Sequence, residues 1–289
     1  MQYLLPGAVF LLMISVGLGL KLTEVVANWR RMEWSRWLSL TAATFIIPPA
    51  LALVLANLFR LTLAETAGLF LVGVAPGAPL LTRNLARKGF DMHMAASYQV
   101  WAALMVPLMI PMLVAAGGKL YGRDIWVSPG VLLKQIVLKQ FLPLACGMMI
   151  AWIAPRTSQR IQVSANVVGN VLFAALLAIV LFKMGPALKG ITPLVPVAAL
   201  LLAAGSMAAI LMLPSSNQQV KTTFAICNAN RHVGLALLLS GQYQGSRSAL
   251  PTIACYALLA PLIMFVYARY SRGRTAGGVT APSTRATKP

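Results

Sequence analysis

Acidic residues are scarce in this chain. Its 289 residues include 5 Asp and Glu against 24 Lys and Arg, a formal charge of +19. Charged residues are only 10% of the total, far below the ~25% of an ordinary soluble domain. With so few carboxylates and only 2 histidines, there is little material for acid–base or metal-assisted catalysis. No metalloprotease motif, nucleophile elbow or carboxylate pair is present, so the chain does not read as an enzyme. The three cysteines, Cys146, Cys227 and Cys255, are scattered through apolar segments without a CxxC pair. That excludes a disulfide framework and a zinc site, and neither a metal nor an organic cofactor is expected. Basic residues are not interleaved with aromatics and no nucleic-acid motif occurs. The positive charge therefore fits the cytoplasmic loops of a membrane protein, not a nucleic-acid surface. Residues 4–20 are apolar, but Lys and Arg follow them instead of preceding them, the wrong polarity for a cleavable signal peptide.

What the chain has in abundance is long apolar stretches. It is 59% hydrophobic with a mean hydropathy of +0.78. A membrane span needs about 20 such residues, and nine segments qualify: 3–21, 37–59, 64–83, 93–117, 131–154, 162–186, 191–213, 221–240 and 248–270. The expected fold is all-α and polytopic, with a membrane domain over 1–270 and a disordered cytoplasmic tail over 271–289. Placing the N-terminus outside and the C-terminus in the cytoplasm puts most Lys and Arg in the inner loops, as an inner-membrane protein requires. Four spans precede the loop 118–130 and five follow it. Two repeats, 1–117 and 131–270, would then have opposite orientation, the inverted-repeat design of secondary transporters.

Two of the spans are broken in the middle. The first reads Gly73-Val74-Ala75-Pro76-Gly77-Ala78-Pro79-Leu80-Leu81-Thr82-Arg83, the second Ala225-Ile226-Cys227-Asn228-Ala229-Asn230-Arg231-His232-Val233-Gly234. Pro76 and Pro79 remove backbone donors, and Gly77 lets the chain turn. Freed carbonyls suit a cation, and an exposed half-helix N-terminus suits an anion. A simple proline kink is the plainer alternative. In the second break Asn228, Asn230, Arg231 and His232 are polar. An arginine at mid-membrane costs at least about 2.5 kcal/mol, so these residues must face protein or water. Paired interruptions at corresponding places point to a transporter binding site.

The arginine fork suits carboxylate, sulfate or phosphate. Arg83 and Arg231 in one cavity would argue for an anionic substrate, although Arg83 also suits a helix end or lipid headgroups. His232 titrates in a range useful for carrying protons, or else serves a structural role.

At these residues the chain resembles the bile acid:sodium symporter family, over essentially Leu4 to Tyr270. Val16-Gly17-Leu18-Gly19-Leu20-Lys21-Leu22 is similar to the family's first-half helix with its short "L-x-L" turn. Ala64-Glu65, Leu71-Val72-Gly73, Ala75-Pro76-Gly77 and Leu85-Ala86-Arg87-Lys88-Gly89 resemble, in order, its fourth-helix block. Val233-Gly234-Leu235-Ala236 resembles the "SGLA" after the ninth-helix break, and Pro107 and Pro261 fit family prolines. The nine-span length resembles the shorter form of the family. The resemblance implies a core domain with two discontinuous helices crossing at mid-membrane, a panel domain, and alternating access coupled to two sodium ions.

Against that pattern this chain departs at the ion sites. The family's Ser-Asn falls on Leu81 and Thr82, its acidic ligand on Cys227, its Gln-Asn on Arg231 and His232. Its hydroxyl ligands fall near Ala95 and Gln99, its glutamine near Thr44, and its late His-Asn on Tyr256 and Ala257. Sodium needs hard oxygen ligands, and only Thr44, Thr82, Gln99 and Asn228 remain to offer them. The sequence therefore implies a secondary carrier of a small organic anion, with Pro76, Gly77, Thr82, Arg83, Asn228, Asn230, Arg231 and His232 as candidate substrate residues. Family-type sodium symport competes with a sodium-independent carrier (proton-coupled, exchanging or facilitative) and with a non-transporting protein on the same fold.

Overall fold

The computed structural model describes residues 4–19, 33–77, 92–121, 129–188, 190–214, 217–241 and 246–276, with single positions between 19 and 33. Within them the chain is helical, and no strand occurs. The helices are α1 (Leu4–Leu18), α2 (Trp34–Leu58), α3 (Leu63–Val74), α4 (Met92–Tyr121), α5 (Pro129–Ile136, continued through Val137–Phe141 into Leu142–Ile153), α6 (Pro155–Leu188), α7 (Val195–Leu211), α8 (Gln218–Ala229), α9 (Val233–Ser240) and α10 (Ser246–Ala276). The last helix thus continues six residues past the expected boundary at 270, through Ser271 to Ala276.

Nine full spans were expected. Among the described residues five helices are long and apolar enough to cross a membrane, in α2, α4, α5, α6 and α10, while α1, α3 and α7 are shorter apolar helices. At 1.5 Å rise per residue, α3 with 12 residues reaches only about 18 Å. It stops short because the chain breaks at Pro76. The eighth expected span is likewise divided into α8 and α9, of 12 and 8 residues. Large apolar side chains such as Val54, Met112, Trp152, Val171 and Val266 stand exposed on the outside, as suits a surface solvated by hydrocarbon instead of water.

The helices pack in two groups. α1, α5 and α6 lie against one another, and α2, α3, α4, α7, α8, α9 and α10 share the main buried cluster, which α5 joins through Leu132 and Ile136. In the smaller group α1 and α5 meet main chain to main chain. A Cβ on Gly17 would overlap the Leu144 carbonyl oxygen, and one on Gly147 would overlap that of Ile14. Small residues allow such close approach where no hydrophobic effect drives helices together.

Glu65 fastens the start of α3. Its Oε2 accepts the Thr62 N–H at 2.9 Å, and the Thr62 hydroxyl accepts the Glu65 N–H, forming a capping box. The same carboxylate also accepts the Thr192 N–H at 2.6 Å and its hydroxyl at 2.9 Å, tying α3 to the turn before α7. Glu65→Ala is expected to lower the unfolding free energy by about 1–3 kcal/mol. Thermal unfolding checks this, and an unchanged melting temperature would contradict it.

Candidate functional site

The two breaks meet. Gly77 and Arg231 form an isolated antiparallel bridge, and the His232 N–H donates to the Pro76 carbonyl at 2.9 Å. The approach is so close that a Cβ on Gly77 would overlap the Cys227 carbonyl oxygen. Here glycine is required by space. The rest of the first broken segment, from Ala78 to Asp91, lies outside the described residues, and with it the candidates Thr82 and Arg83.

Arg231 sits at the crossing, 1% exposed. Its Nε donates to the Val72 carbonyl at 3.3 Å, Nη1 to Asn228 Oδ1 at 2.9 Å, and Nη2 to the Thr44 carbonyl at 3.0 Å and to the Gly73 carbonyl. The local sequence explains why those oxygens are available. In α2 the π turn Ala42–Ile46 directs the Ile47 N–H back to the Ala42 carbonyl. Pro48 and Pro49 follow and have no N–H to give. The carbonyls of Ala43 and Thr44 therefore have no partner within their own helix. Asn228 Nδ2 takes the first at 3.0 Å and Arg231 the second. In the first break, Pro76 likewise cannot serve the Val72 carbonyl, and unwinding at Ala75 to Gly77 releases that of Gly73.

Asn228 is the hub beside the guanidinium. Its Oδ1 also accepts from Tyr98 Oη at 3.0 Å, and its Nδ2 donates to the Ser206 carbonyl at 2.7 Å. Tyr98 Oη and Thr44 Oγ1 share a hydrogen bond of 3.2 Å, and Tyr256 Oη donates to the Ala229 carbonyl at 2.7 Å. Of the described acids, Glu65 belongs to the α3 cap and Glu33 pairs with Arg36 at 3.6 Å. Neither meets Arg231, so among the described residues its charge is compensated by oxygen dipoles.

The expected residues thus divide by role. Pro76, Gly77, Asn228, Arg231 and His232 come together. Asn230, half-buried, ends α8, its N–H donating to the Ile226 carbonyl. Arg231 is expected either to bind an anion or to stand in for the missing cation charge, and four of its hydrogen bonds go to the protein. Thr44 and Asn228, expected to offer side-chain oxygens to an ion, have those oxygens engaged by Tyr98 and Arg231. Gln99 lines a neighbouring cavity, whereas Tyr98 reaches the crossing, because one residue along a helix turns the side chain by about 100°. Tyr98, the Pro48-Pro49 pair and Ser206 were not singled out from sequence. The adjacent prolines inside an apolar span were the available signal, since each must orphan a carbonyl.

His232 caps α9. Its Nδ1 accepts the Leu235 N–H at 3.1 Å, so the neutral ring carries its proton on Nε2. Beside it a small cavity opens between the two helix groups, lined by Met13 and Val16 of α1, Pro76, Gly77, Gln99, Gln140 of α5, and His232.

Compared with known proteins, residues 6–213 match the Sodium Bile acid symporter family. No curated protein matches the chain.

Proposed function

The chain belongs to the sodium bile acid symporter family, and on that premise we propose that it is a secondary carrier of a small organic anion that works without sodium, because Arg231 is its resident cation. The single observation behind this reading is the hydrogen bonding of the guanidinium. It takes carbonyls at the first break and the one that the α2 prolines release, together with Asn228 Oδ1, an oxygen set of the kind a hard cation would otherwise use. The family's acidic ligand falls on Cys227, fully buried here. Two sodium ions with one carboxylate leave one net positive charge, and so does one guanidinium with no carboxylate. The loaded electrostatic state is then permanent. An anion in the adjoining cavity is drawn by the field of Arg231 and by the N-terminal end of α9, not by direct contact with the guanidinium.

Exchange or facilitated movement fits this site better than proton coupling. Protonating His232 on Nδ1 would break the α9 cap and place a second positive charge beside Arg231. The protein then lies in the cell membrane with its N-terminus outside and its C-terminus in the cytoplasm, following the Lys and Arg of the loops.

Counterflow in proteoliposomes tests the reading. At fixed membrane potential, replacing sodium by choline is expected to leave exchange of an organic anion within about twofold, since an ion with no preference between states shifts nothing. A strong, saturable dependence on sodium would overturn it.

A further inference from the structure

We infer that α5 contains a hinge at Val137–Phe141, about which its second half and α1 tilt as one unit to open the seam beside the crossing. The two halves of α5 belong to different packed groups. The first half lies on α4 and sets Leu132 and Ile136, both fully buried, in the main cluster. The second half joins α1, main chain against main chain, at Leu144 and Gly147. The joint between the halves is a π turn. Its end directs the Leu142 N–H back to the Val137 carbonyl, and Pro143 follows with no N–H to give. The Leu138 carbonyl is thus left without a helical donor four or five residues on. Helices bend at π turns and at prolines, and here both fall where the helix changes neighbours.

The π turn of α2 is pinned, because Asn228 and Arg231 take its carbonyls. The α5 turn carries Gln140 instead. Gln140 is 3% exposed, and its Oε1 is out of reach of water with no hydrogen-bond partner among the described residues. A buried acceptor left unpaired costs free energy. Gln140 lines the small cavity at the seam, whose other walls include Met13 and Val16 of the moving unit and Pro76 and Gly77 of the crossing. Tilting the unit separates those walls and lets water reach the amide oxygen, so the cost falls on the closed arrangement alone. A bend of about 20° at the turn would carry Trp152, about 15 Å beyond it, by roughly 5 Å.

Spin-label distances on the full-length protein in nanodiscs test the hinge. Labels go on cysteines placed at exposed Phe10, Val54, Leu133 and Trp152, in a Cys146→Ala background, since Cys227 and Cys255 are buried. Phe10 to Trp152 lies within the moving unit, and Leu133 to Val54 lies before the hinge. Each pair should give one narrow distance. Trp152 to Val54 spans the hinge and should give two, roughly 5 Å apart. Gln140→Leu removes the unpaired oxygen and should shift the population roughly fivefold or more toward the closed distance. Pro143→Ala supplies the missing N–H and should remove the second distance. If one variant does not fold, the other and the unsubstituted pattern still decide. A single distance for Trp152 to Val54 would overturn the hinge, as would two distances for either internal pair or populations unchanged in both variants. Every readout is a distance, so failure of anion exchange would overturn the carrier reading and leave the hinge standing.

Discussion

Arg231→Ala is expected to abolish the proposed anion exchange and to lower the unfolding free energy by about 3–5 kcal/mol, the range for removing one partner from a buried charged network. The carbonyls of Gly73 and Thr44 lose the Arg231 donor, that of Val72 keeps only the Ala75 N–H, and Asn228 Oδ1 keeps only Tyr98. Each buried acceptor left unpaired costs about 1–3 kcal/mol. The melting temperature should fall by roughly 10 °C. Arg231→Lys is expected to fall between, because an ammonium restores the charge but cannot spread donors over three elements. The decisive arm is chemical rescue. Guanidinium ion added to Arg231→Ala should recover part of the lost melting temperature, and at the same low concentration should leave wild type unaffected. A variant that melts within about 2 °C of wild type would show that the guanidinium does not tie the crossing together.

Gly77→Val is the second large effect. Its Cβ would lie in the Cys227 carbonyl oxygen, with Tyr98 Cε1 only 3.1 Å away. The obstacle is backbone and cannot swing aside as a side-chain tip would. Overpacking of this kind costs about 1–3 kcal/mol or more, and the bridge to Arg231 and the Pro76–His232 hydrogen bond should both be lost. Exchange is expected to be abolished, whereas Gly7→Val, with nothing within 4 Å of its added Cβ, should melt and exchange like wild type. The pair of variants isolates position from residue type, and comparable activity in the two would refute the proposed crossing.

Much of this arrangement was legible because it follows from backbone chemistry. Pro76 and the polar run from Asn228 to His232 interrupt apolar spans, and interrupted spans must meet protein instead of lipid. Their meeting at Gly77 and Arg231 is what the resemblance implies. The direction of the Arg231 side chain was not legible. A guanidinium serves an anion or a set of carbonyls equally well, and only the positions of Pro48 and Pro49 relative to the π turn show that carbonyls are waiting for it. Gln140 was overlooked for a similar reason: a lone glutamine in an apolar span announces a polar partner but not where it lies. Gln99, expected among the ion ligands, lines the neighbouring cavity, and it is the next residue along the helix, Tyr98, that reaches the crossing.

The contact of α1 with α5 at Gly17 and Gly147 bears on how such a carrier would move. Helices that touch through main chain have no rotamers to re-sort at the seam. The pair can slide or tilt only as one plate, and relative motion has to be absorbed where side chains can yield. The face of these helices toward α4 offers that, with Met13 buried in the seam beside Val100 and Met148 packed against it. Unbranched thioethers tolerate several arrangements at little cost. For a carrier, the stiff seam would leave the face toward α4, where Met13 and Met148 pack with Val100, as the surface along which the pair moves.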